Sequence, residues 1–209
     1  MLSKSALQFA GEYLLEDSKI ISVSGSVFDI KELIEEISIY EDIFTYTVSG
    51  TLTFTDTTNI VKNFPIIGEE RLVLKLATPQ EKESPDTTID YTRSPLMITS
   101  VSARSPRKSN SQIVTLSFKS LETFRDSACR VSQSYSGQPS DIIDKILRDK
   151  SYLATTKRFF RENTANNIKV VFPNMRPFDC ITQLMKRSNS ASNVNSPSYL
   201  FYETNYCIN

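Results

Sequence analysis

Hydrophobic and polar residues alternate most regularly between Thr45 and Thr55. One set of alternate positions carries aromatic, aliphatic or glycine residues, and the other carries only threonine and serine. Because successive side chains of a β-strand point to opposite faces, this period of two predicts a strand with one buried face. The residues predicted to face the core are Tyr46, Val48, Gly50, Leu52 and Phe54.

Further stretches on both sides of this strand have the same β-like texture. They are Ile20–Phe28 with a bend at Gly25, Leu33–Tyr40, Arg71–Ala77, Leu96–Ala103 and Gln112–Phe118. Between them, Asp56–Asn59 predicts a turn that leads into a short helical turn ended by Pro65, and Thr78–Asp86 predicts an exposed loop. Arg104–Ser111 predicts a polar connection. Strands at such short intervals favour an antiparallel barrel or sandwich, and we assign residues 1–122 to an antiparallel β-barrel.

The hydrophobic period then changes to that of helices. Ser140 has the chemistry of an N-cap for a helix that continues to Asp149. A second helix is predicted to begin near Pro177, because proline is favoured at the first helical position. The apolar faces of the two helices comprise Ile142, Ile143, Ile146 and Leu147 in the first, and Phe178, Ile181, Leu184 and Met185 in the second.

Short strands are predicted around these helices. Lys157–Arg161, Ile168–Phe172 and the aromatic stretch Ser198–Glu203 alternate as strands do, and Ser188–Ser198 predicts a serine- and asparagine-rich loop. Residues 123–209 are therefore predicted to form a smaller α+β domain after the barrel. The expected fold class is mainly β, and α+β overall.

The composition is that of a folded chain whose charge is unevenly distributed. Of its 209 residues 39% are hydrophobic and 23% charged, and the formal net charge is zero. Residues 1–104 contain nine Lys and Arg against sixteen Asp and Glu, whereas residues 105–209 contain fifteen against eight. The two halves thus carry about −7 and +7. This asymmetry fits either ordinary solvated faces or two modules that present opposite fields to different neighbours.

Histidine is absent, which removes the usual general base near neutral pH and most zinc sites. Acidic residues are the remaining candidates for hydrolytic chemistry, which needs two carboxyls facing one cleft. Two acidic pairs are adjacent in sequence and so should point to opposite faces of a strand, and a third lies at a predicted helix start, where capping explains it. These pairs are Glu35 and Glu36, Glu69 and Glu70, and Asp141 and Asp144. We therefore expect no enzymatic activity, with no catalytic, cofactor-binding or metal-binding residues.

The sequence gives equally weak indications of a disulfide framework, a zinc site, a membrane span or a nucleic-acid partner. Cys129, Cys180 and Cys207 are odd in number and lack a CxxC spacing, which argues against a disulfide framework or zinc site. No apolar run approaches the roughly 18 residues that a membrane span needs, so we expect no membrane partner. Basic and aromatic residues interleave in Lys157–Arg161, as in single-strand binders, but also as in a strand with solvated charges. We expect no nucleic-acid specificity.

Several motifs, taken in order, resemble a known family. The first group comprises Ile39–Phe44, Gly50–Leu52 with Asp56, and Pro65–Glu70; the second comprises Ser134–Gly137, Pro173–Asp179 and Tyr199–Thr204. This order is similar to that of the baseplate central hub subunit of contractile-tailed phages, which is related to the hub portions of type VI secretion spikes. The resemblance covers roughly residues 13–207. Its motif residues here are Tyr40, Glu41, Asp56, Pro65, Gly68, Glu69, Pro177, Phe178, Asp179, Phe201, Tyr202 and Glu203.

The resemblance implies a structural role in the virion. Such a subunit is a homotrimer that joins the tail tube protein to the central spike protein within a baseplate of wedge proteins, assembled in the host cytoplasm. The alternative is another β-rich adaptor of a virion or contractile injection system, such as a wedge, a tube initiator or a secretion-spike hub. The family also has a second barrel. With a single barrel, we expect the 209-residue chain to be monomeric or in concentration-dependent, salt-sensitive exchange.

Overall fold

A computed structural model describes residues 13–57, 66–77, 88–106, 111–192, 199–205 and 207–208. The chain divides into two compact units. The first unit comprises Met1–Tyr40 and Ser49–Ser120, and the second comprises Glu41–Val48 and Leu121–Asn209. The chain therefore passes into the second unit at Glu41, returns at Ser49 and leaves the first unit again after Ser120. The domain limits 1–122 and 123–209 remain a prediction.

The first unit is one large antiparallel sheet. In chain order its elements are β1 (Leu14–Ile21), β2 (Val27–Asp29), a 3-10 turn (Lys31–Leu33), β3 (Ile34–Tyr40), β4 (Ser49–Asp56), β5 (Arg71–Ala77), β6 (Thr88–Asp90), β7 (Leu96–Pro106) and β8 (Gln112–Lys119). Their spatial order is β2-β1-β5-β7-β8-β4-β3, with β6 paired to β5 outside this path. All of these pairings are antiparallel.

A short chain link forces this sheet to curl. β2 and β3 lie at opposite ends of the spatial order, yet only residues 30–33 connect them. That link can span at most about 17 Å. Seven strands side by side in a flat sheet would instead extend over about 29 Å. The two ends must therefore approach each other, and the 3-10 turn indeed contacts both β1 and β4. The result is barrel-like.

The interior of the first unit is filled from the alternate positions of its strands. Leu52 and Phe54 of β4 are fully buried, whereas Thr51 and Thr53 are half-buried on the other face. Gly50 allows the tightest approach, because a Cβ there would lie 2.2 Å from the carbonyl oxygen of Ser38. The remaining fully or almost fully buried members of this core are Ile20, Ile30, Leu72, Leu74, Tyr91, Leu96, Ile98, Val114, Leu116 and Phe118.

The mainly β fold class is confirmed, together with most predicted strands of the first unit. The predicted strand Ile20–Phe28 is instead a hairpin, in which residues 22–26 turn between β1, which begins at Leu14, and β2. Three further boundaries differ. β4 begins at Ser49 rather than Thr45, because the preceding residues join the second unit. β7 continues to Pro106, because it keeps pairing with β8 through the segment predicted as a connection. Leu33 belongs to the 3-10 turn. The predicted helical turn, Pro65 and the whole of the predicted loop at 78–86 lie outside the described residues.

The second unit combines three helices with short strands. They are α1 (Leu121–Ala128), β9 (Val131–Gly137), α2 (Pro139–Arg148), β10 (Arg158–Phe159), β11 (Ile168–Met175), α3 (Pro177–Met185) and β12 (Cys207–Ile208). β9 pairs antiparallel with β11, and β10 pairs parallel with β12. The predicted apolar helix faces are confirmed, since all of their residues are buried except Met185, which packs against the same core while partly buried.

Two predictions for the second unit are wrong. Ser140 is not an N-cap: α2 begins one residue earlier with Pro139, and its N-cap is Gln138, which makes no side-chain capping bond. Ser198–Glu203 is not a strand, because in its described part only Glu203 forms a bridge, to Ile208. The sequence reasoning also missed α1 and β9 as regular elements.

The two faces of β4 generate a stability prediction. Leu52→Ala and Phe54→Ala should each lower the free energy of unfolding by about 2–5 kcal/mol, because each leaves a cavity in the core. Thr51→Ala and Thr53→Ala should cost about 1 kcal/mol or less, although Thr53 shares a hydroxyl–hydroxyl hydrogen bond with Thr115. Urea denaturation of the four variants measures both sets. Equal costs on the two faces would contradict the assignment.

Candidate interaction site around residues 41–48

The segment Glu41–Val48 connects two strands of the barrel but folds with the second unit. A connection between adjacent strands usually exposes its side chains and satisfies its backbone locally. This one instead contacts residues more than 70 positions away at both ends and in the middle. We call it the inserted segment. Its contacts bring together most of the family-motif residues of the second unit.

Aromatic rings hold the middle of the inserted segment. The ring centroid of Tyr46 lies 5.0 Å from that of Phe178 and 6.2 Å from that of Phe201, and the latter two lie 6.0 Å apart. All three pairs are tilted, a favourable arrangement for aromatic quadrupoles. The Tyr46 hydroxyl also hydrogen-bonds the Thr182 hydroxyl at 2.8 Å on α3. Tyr46 is therefore fixed at both its apolar body and its polar tip.

Polar contacts hold the two ends. The backbone N–H of Asn205 donates to Glu41 Oε1 at 2.5 Å. At the other end, the hydroxyls of Thr47 and Thr123 lie 2.6 Å apart, and the buried backbone N–H of Val48 donates to Glu203 Oε2 at 3.1 Å. The last bond satisfies a buried backbone N–H.

Glu203 belongs to a buried ionic cluster. Lys157 Nζ lies 2.7 Å from Glu122 Oε2 and also pairs with Glu203 Oε1, and all three side chains are almost fully buried. The hydroxyl of Thr155 donates to Glu122 Oε1 at 2.6 Å. Burial by itself lowers the pKa of the Lys157 ammonium, but the fields and hydrogen bonds of the two carboxylates outweigh it and raise that pKa. The cluster is therefore a charged cross-link between α1, the 155–157 loop and the inserted segment.

A second buried carboxylate organises α3. The backbone N–H of Phe178, in the first turn of α3, donates to Asp126 Oδ1 at 2.7 Å. No side-chain cap comes from Arg176, the helix's own N-cap residue. Asp126 on α1 therefore supplies the acceptor that satisfies this helix end. Burial raises the pKa of the Asp126 carboxyl, and the Phe178 N–H opposes this only in part.

The tip of the inserted segment is exposed although its backbone is ordered by hydrogen bonds. Asp42 Oδ1 accepts from the N–H of Phe44 at 2.9 Å, and the Asp42 carbonyl accepts from the N–H of Thr45 at 3.1 Å. These bonds close a turn around Ile43 and Phe44. The two side chains are 46% and 78% exposed. The segment is thus held at its two ends by hydrogen bonds and presents two large apolar side chains to solvent.

The structure gathers some family-motif residues and separates others. Glu41, Pro177, Phe178, Phe201 and Glu203 lie around the inserted segment or at the start of α3. Tyr202 is half-buried beside them in sequence, and Asp179 is exposed in the first turn of α3. The residues of the first unit are not part of this site. They are Tyr40 at the end of β3, Asp56 at the end of β4, and Gly68 and Glu69, with Pro65 outside the described residues.

In the first unit Glu70, the neighbour of the motif residue Glu69, carries a buried carboxylate. Glu69 is exposed, whereas Glu70 is buried and accepts the N–H groups of Ile67 and Gly68 at 2.9 and 3.0 Å. Gly68 adopts a φ of +98°, which favours glycine. Glu70 therefore closes the turn before β5. Sequence reasoning also missed Tyr46, Glu122 and Lys157 as site residues, since their contacts are distant in sequence.

The remaining candidate chemistry is dispersed. Asp141 pairs with Arg161 at 2.8 Å and Asp144 with Arg148 at 3.6 Å, all partly exposed on or near α2. Of the basic–aromatic run, Lys157 is buried in its ion pairs, and Arg158 stacks over the exposed ring of Phe160 at 5.2 Å. Among the described residues there is no group of three metal-ligating side chains, and none of their helices has the length and apolar character of a membrane span.

The fold is similar to that of a solved tail protein. The 43 kDa tail protein of prophage MuSo2 from Shewanella oneidensis matches with a TM-score of 0.53 at 10% identity, over 82% of this chain and 48% of that one. A tail protein from Neisseria meningitidis MC58 gives 0.49 at 15% identity, over 83% and 44%. The Francisella PdpA–VgrG complex in its half-lidded form gives 0.44 at 13% identity, over 83% and 29%.

These similarities concern the fold alone, and the chain spans less than half the length of each of these three structures. No protein-family model and no curated protein matches the sequence.

The ionic cluster generates a second prediction. Lys157→Met should lower the free energy of unfolding by about 3–5 kcal/mol, because it leaves two buried carboxylates without their cation. Asp144→Ala, which breaks a half-exposed pair, should cost about 0.5 kcal/mol or less. Adding Glu122→Gln and Glu203→Gln to Lys157→Met should recover part of the loss. If Lys157→Met cost no more than Asp144→Ala in chemical denaturation, the cluster would not be a stabilising cross-link.

The raised pKa of Asp126 generates a pH prediction. A carboxyl whose pKa is higher in the folded state binds its proton more tightly there, so its favourable contribution is present at low pH and is lost as pH rises through the folded pKa. Asp126→Asn keeps an acceptor for Phe178 and removes the titration. The stability of Asp126→Asn relative to the parent protein should therefore increase between about pH 4 and pH 7.

The same variants provide the control. Asp126→Ala should be less stable than Asp126→Asn by about 1–3 kcal/mol throughout this range, because the buried N–H of Phe178 loses its acceptor. Denaturation curves at several pH values measure both effects. An Asn variant whose stability falls relative to the parent as pH rises would show that the folded-state pKa is lowered instead.

Proposed function

We propose that this chain is a structural component of a phage tail baseplate hub, which adapts the tail tube to the central spike during assembly and injection. The observation that carries the proposal is the fold similarity to the MuSo2 prophage tail protein over 82% of the chain. The ordered motifs of the sequence support the same role independently. The proposed product is non-enzymatic, acts in the virion and is assembled in the host cytoplasm.

The construction of the two units suits such a role. A curled sheet whose ends approach each other leaves fewer open edges, which protects a repeatedly copied part against unplanned strand pairing. The inserted segment is held by aromatic, hydrogen-bonded and ionic contacts rather than left as a loose loop. A surface that is ordered before binding loses less conformational entropy on assembly. We propose a homotrimer that contacts the tail tube protein, the central spike protein and baseplate wedge proteins.

In this proposal the motif residues around the inserted segment have a structural role. Phe178, Phe201 and Glu203 hold the inserted segment in place, and Glu41 fixes its start. In this proposal they shape an assembly surface and do not contact a small ligand. The limits 1–122 for the barrel domain and 123–209 for the α+β domain belong to the same proposal.

Localisation within assembled tails tests this function. An epitope-tagged copy of the chain is expressed in a host that produces the tails encoded beside its gene, and the tails are purified and labelled for electron microscopy. We expect label at one end of the tail, at the junction of tube and spike. A matched copy with Tyr46→Ala, which loses the aromatic anchor, should incorporate less. Label along the tube or sheath, or tails free of the tagged chain, would contradict the proposal.

A further inference from the structure

We propose that the outer edge of β3, from Glu36 to Tyr40, takes up an extended segment of another protein as an additional strand of the sheet. The bound segment carries aliphatic and basic side chains at alternate positions. This contact goes beyond the proposed function and does not rest on it, because every feature that supports it lies in the first unit.

The backbone of this edge is open. β3 is the last strand in the spatial order of the sheet, and among the described residues it pairs with β4 alone. The pairing runs without interruption from Glu36, opposite Thr53, to Tyr40, opposite Ser49. In an antiparallel pair, alternate residues direct their peptide groups to the partner strand and the others direct theirs away from it. The outer side of β3 therefore offers N–H and C=O groups with which an added strand can pair.

The other long edge of the sheet is built differently. Beyond Ile98, β7 pairs only with β8 among the described residues, but two register shifts interrupt that pairing. Arg104 and Pro106 lie near the end of the same strand. Bulges, charged side chains and proline are the features by which proteins protect an edge against added strands. The run from Glu36 to Tyr40 contains neither a bulge nor a proline, so its backbone is suited to strand addition.

The inward face of the run determines one half of the chemistry of the segment. Ile37 and Ile39 pack against the core of the first unit, yet both are only partly buried. In β4, which has a strand on each side, Leu52 and Phe54 are fully buried. Side chains of an added strand would alternate in step with those of β3, so every second one would lie beside Ile37 or Ile39. Aliphatic residues at these positions would remove the remaining apolar surface from water.

The outward face determines the other half. Glu36 is exposed, and Tyr40 is 56% exposed. The Glu36 carboxylate accepts the Ser38 hydroxyl at 3.1 Å and has no ion-pair partner among the described residues. A lysine or arginine on the outward face of the added strand would lie beside this carboxylate and can also stack on the Tyr40 ring.

The charge of the surrounding chain selects a basic partner. Residues 29–40 contain a single lysine, Lys31, against four acidic residues, all of them exposed. Two copies of this edge would therefore repel each other, which disfavours strand pairing between copies of the chain. A basic strand is attracted to the same edge. The four acidic residues are Asp29, Glu32, Glu35 and Glu36.

Fluorescence anisotropy of labelled peptides mixed with the full 209-residue chain tests this inference. The probe is a peptide of about eight residues in which valine and lysine alternate. It should bind saturably, whereas the same peptide with glutamate in place of lysine should not bind. Glu36→Lys should weaken binding about tenfold or more. The control is Asp144→Lys, which makes the same change of net charge on α2 of the second unit and should leave the affinity unchanged.

A third peptide separates strand addition from charge attraction alone. It has the side chains of the probe, but its backbone amides are N-methylated and cannot donate hydrogen bonds. Strand addition requires these donors, so the methylated peptide should lose binding about tenfold or more. Equal binding of the two basic peptides would overturn the inference, as would a probe that does not bind at all.

Hydrogen exchange then locates the contact on the unaltered chain. On addition of the probe, the amides between Glu36 and Tyr40 that do not pair with β4 should exchange more slowly. Protection confined to other parts of the chain, or an equal loss of affinity in Glu36→Lys and Asp144→Lys, would contradict the assignment to β3. Since the test uses only the chain and a peptide, its outcome is independent of whether the chain enters phage tails.

Discussion

A single buried ammonium group links three parts of the second unit. Lys157 lies between Glu122 and Glu203, and each carboxylate has a further task, since one accepts the hydroxyl of Thr155 and the other accepts the N–H of Val48. An ion buried in this way is costly to desolvate and is tolerated only when all of its partners are present. Loss of the cation would therefore affect α1, the 155–157 loop and the inserted segment together.

The same cluster contacts the segment in which the chain leaves its barrel after β3. An ordinary hairpin would have joined β3 to β4 by a short turn, since these strands are adjacent and antiparallel. The chain instead sends residues 41–48 into the second unit, where Tyr46 and Val48 find apolar surroundings and Glu203 supplies a hydrogen-bond acceptor. In the barrel itself, the corresponding constraint is the link 30–33, which is too short for a flat sheet.

Sequence reasoning succeeded where burial follows local periodicity. The inward face of β4 and the apolar faces of α2 and α3 could be predicted because each depends only on spacing along one element. It failed where the packing of a side chain depends on a partner that is distant in sequence. Tyr46 continues the alternation of β4 yet packs on rings more than 130 positions away, and the partners of Lys157 lie 35 and 46 positions from it. Alternating aromatics near Phe201 resembled a strand, but among the described residues of this stretch only Glu203 forms a bridge, and Phe201 packs in the core of the second unit.

The central claim is that the inserted segment is an integral part of the second unit, held there by Glu203. Native-state hydrogen exchange in increasing denaturant tests it most directly through the amide of Val48, whose hydrogen bond crosses from the segment to Glu203. The account predicts that this amide exchanges with the same free energy and denaturant dependence as core amides of the second unit, such as those of Val170 and Cys180. Exchange in step with Leu52 of the barrel, or by local opening at low denaturant, would contradict it.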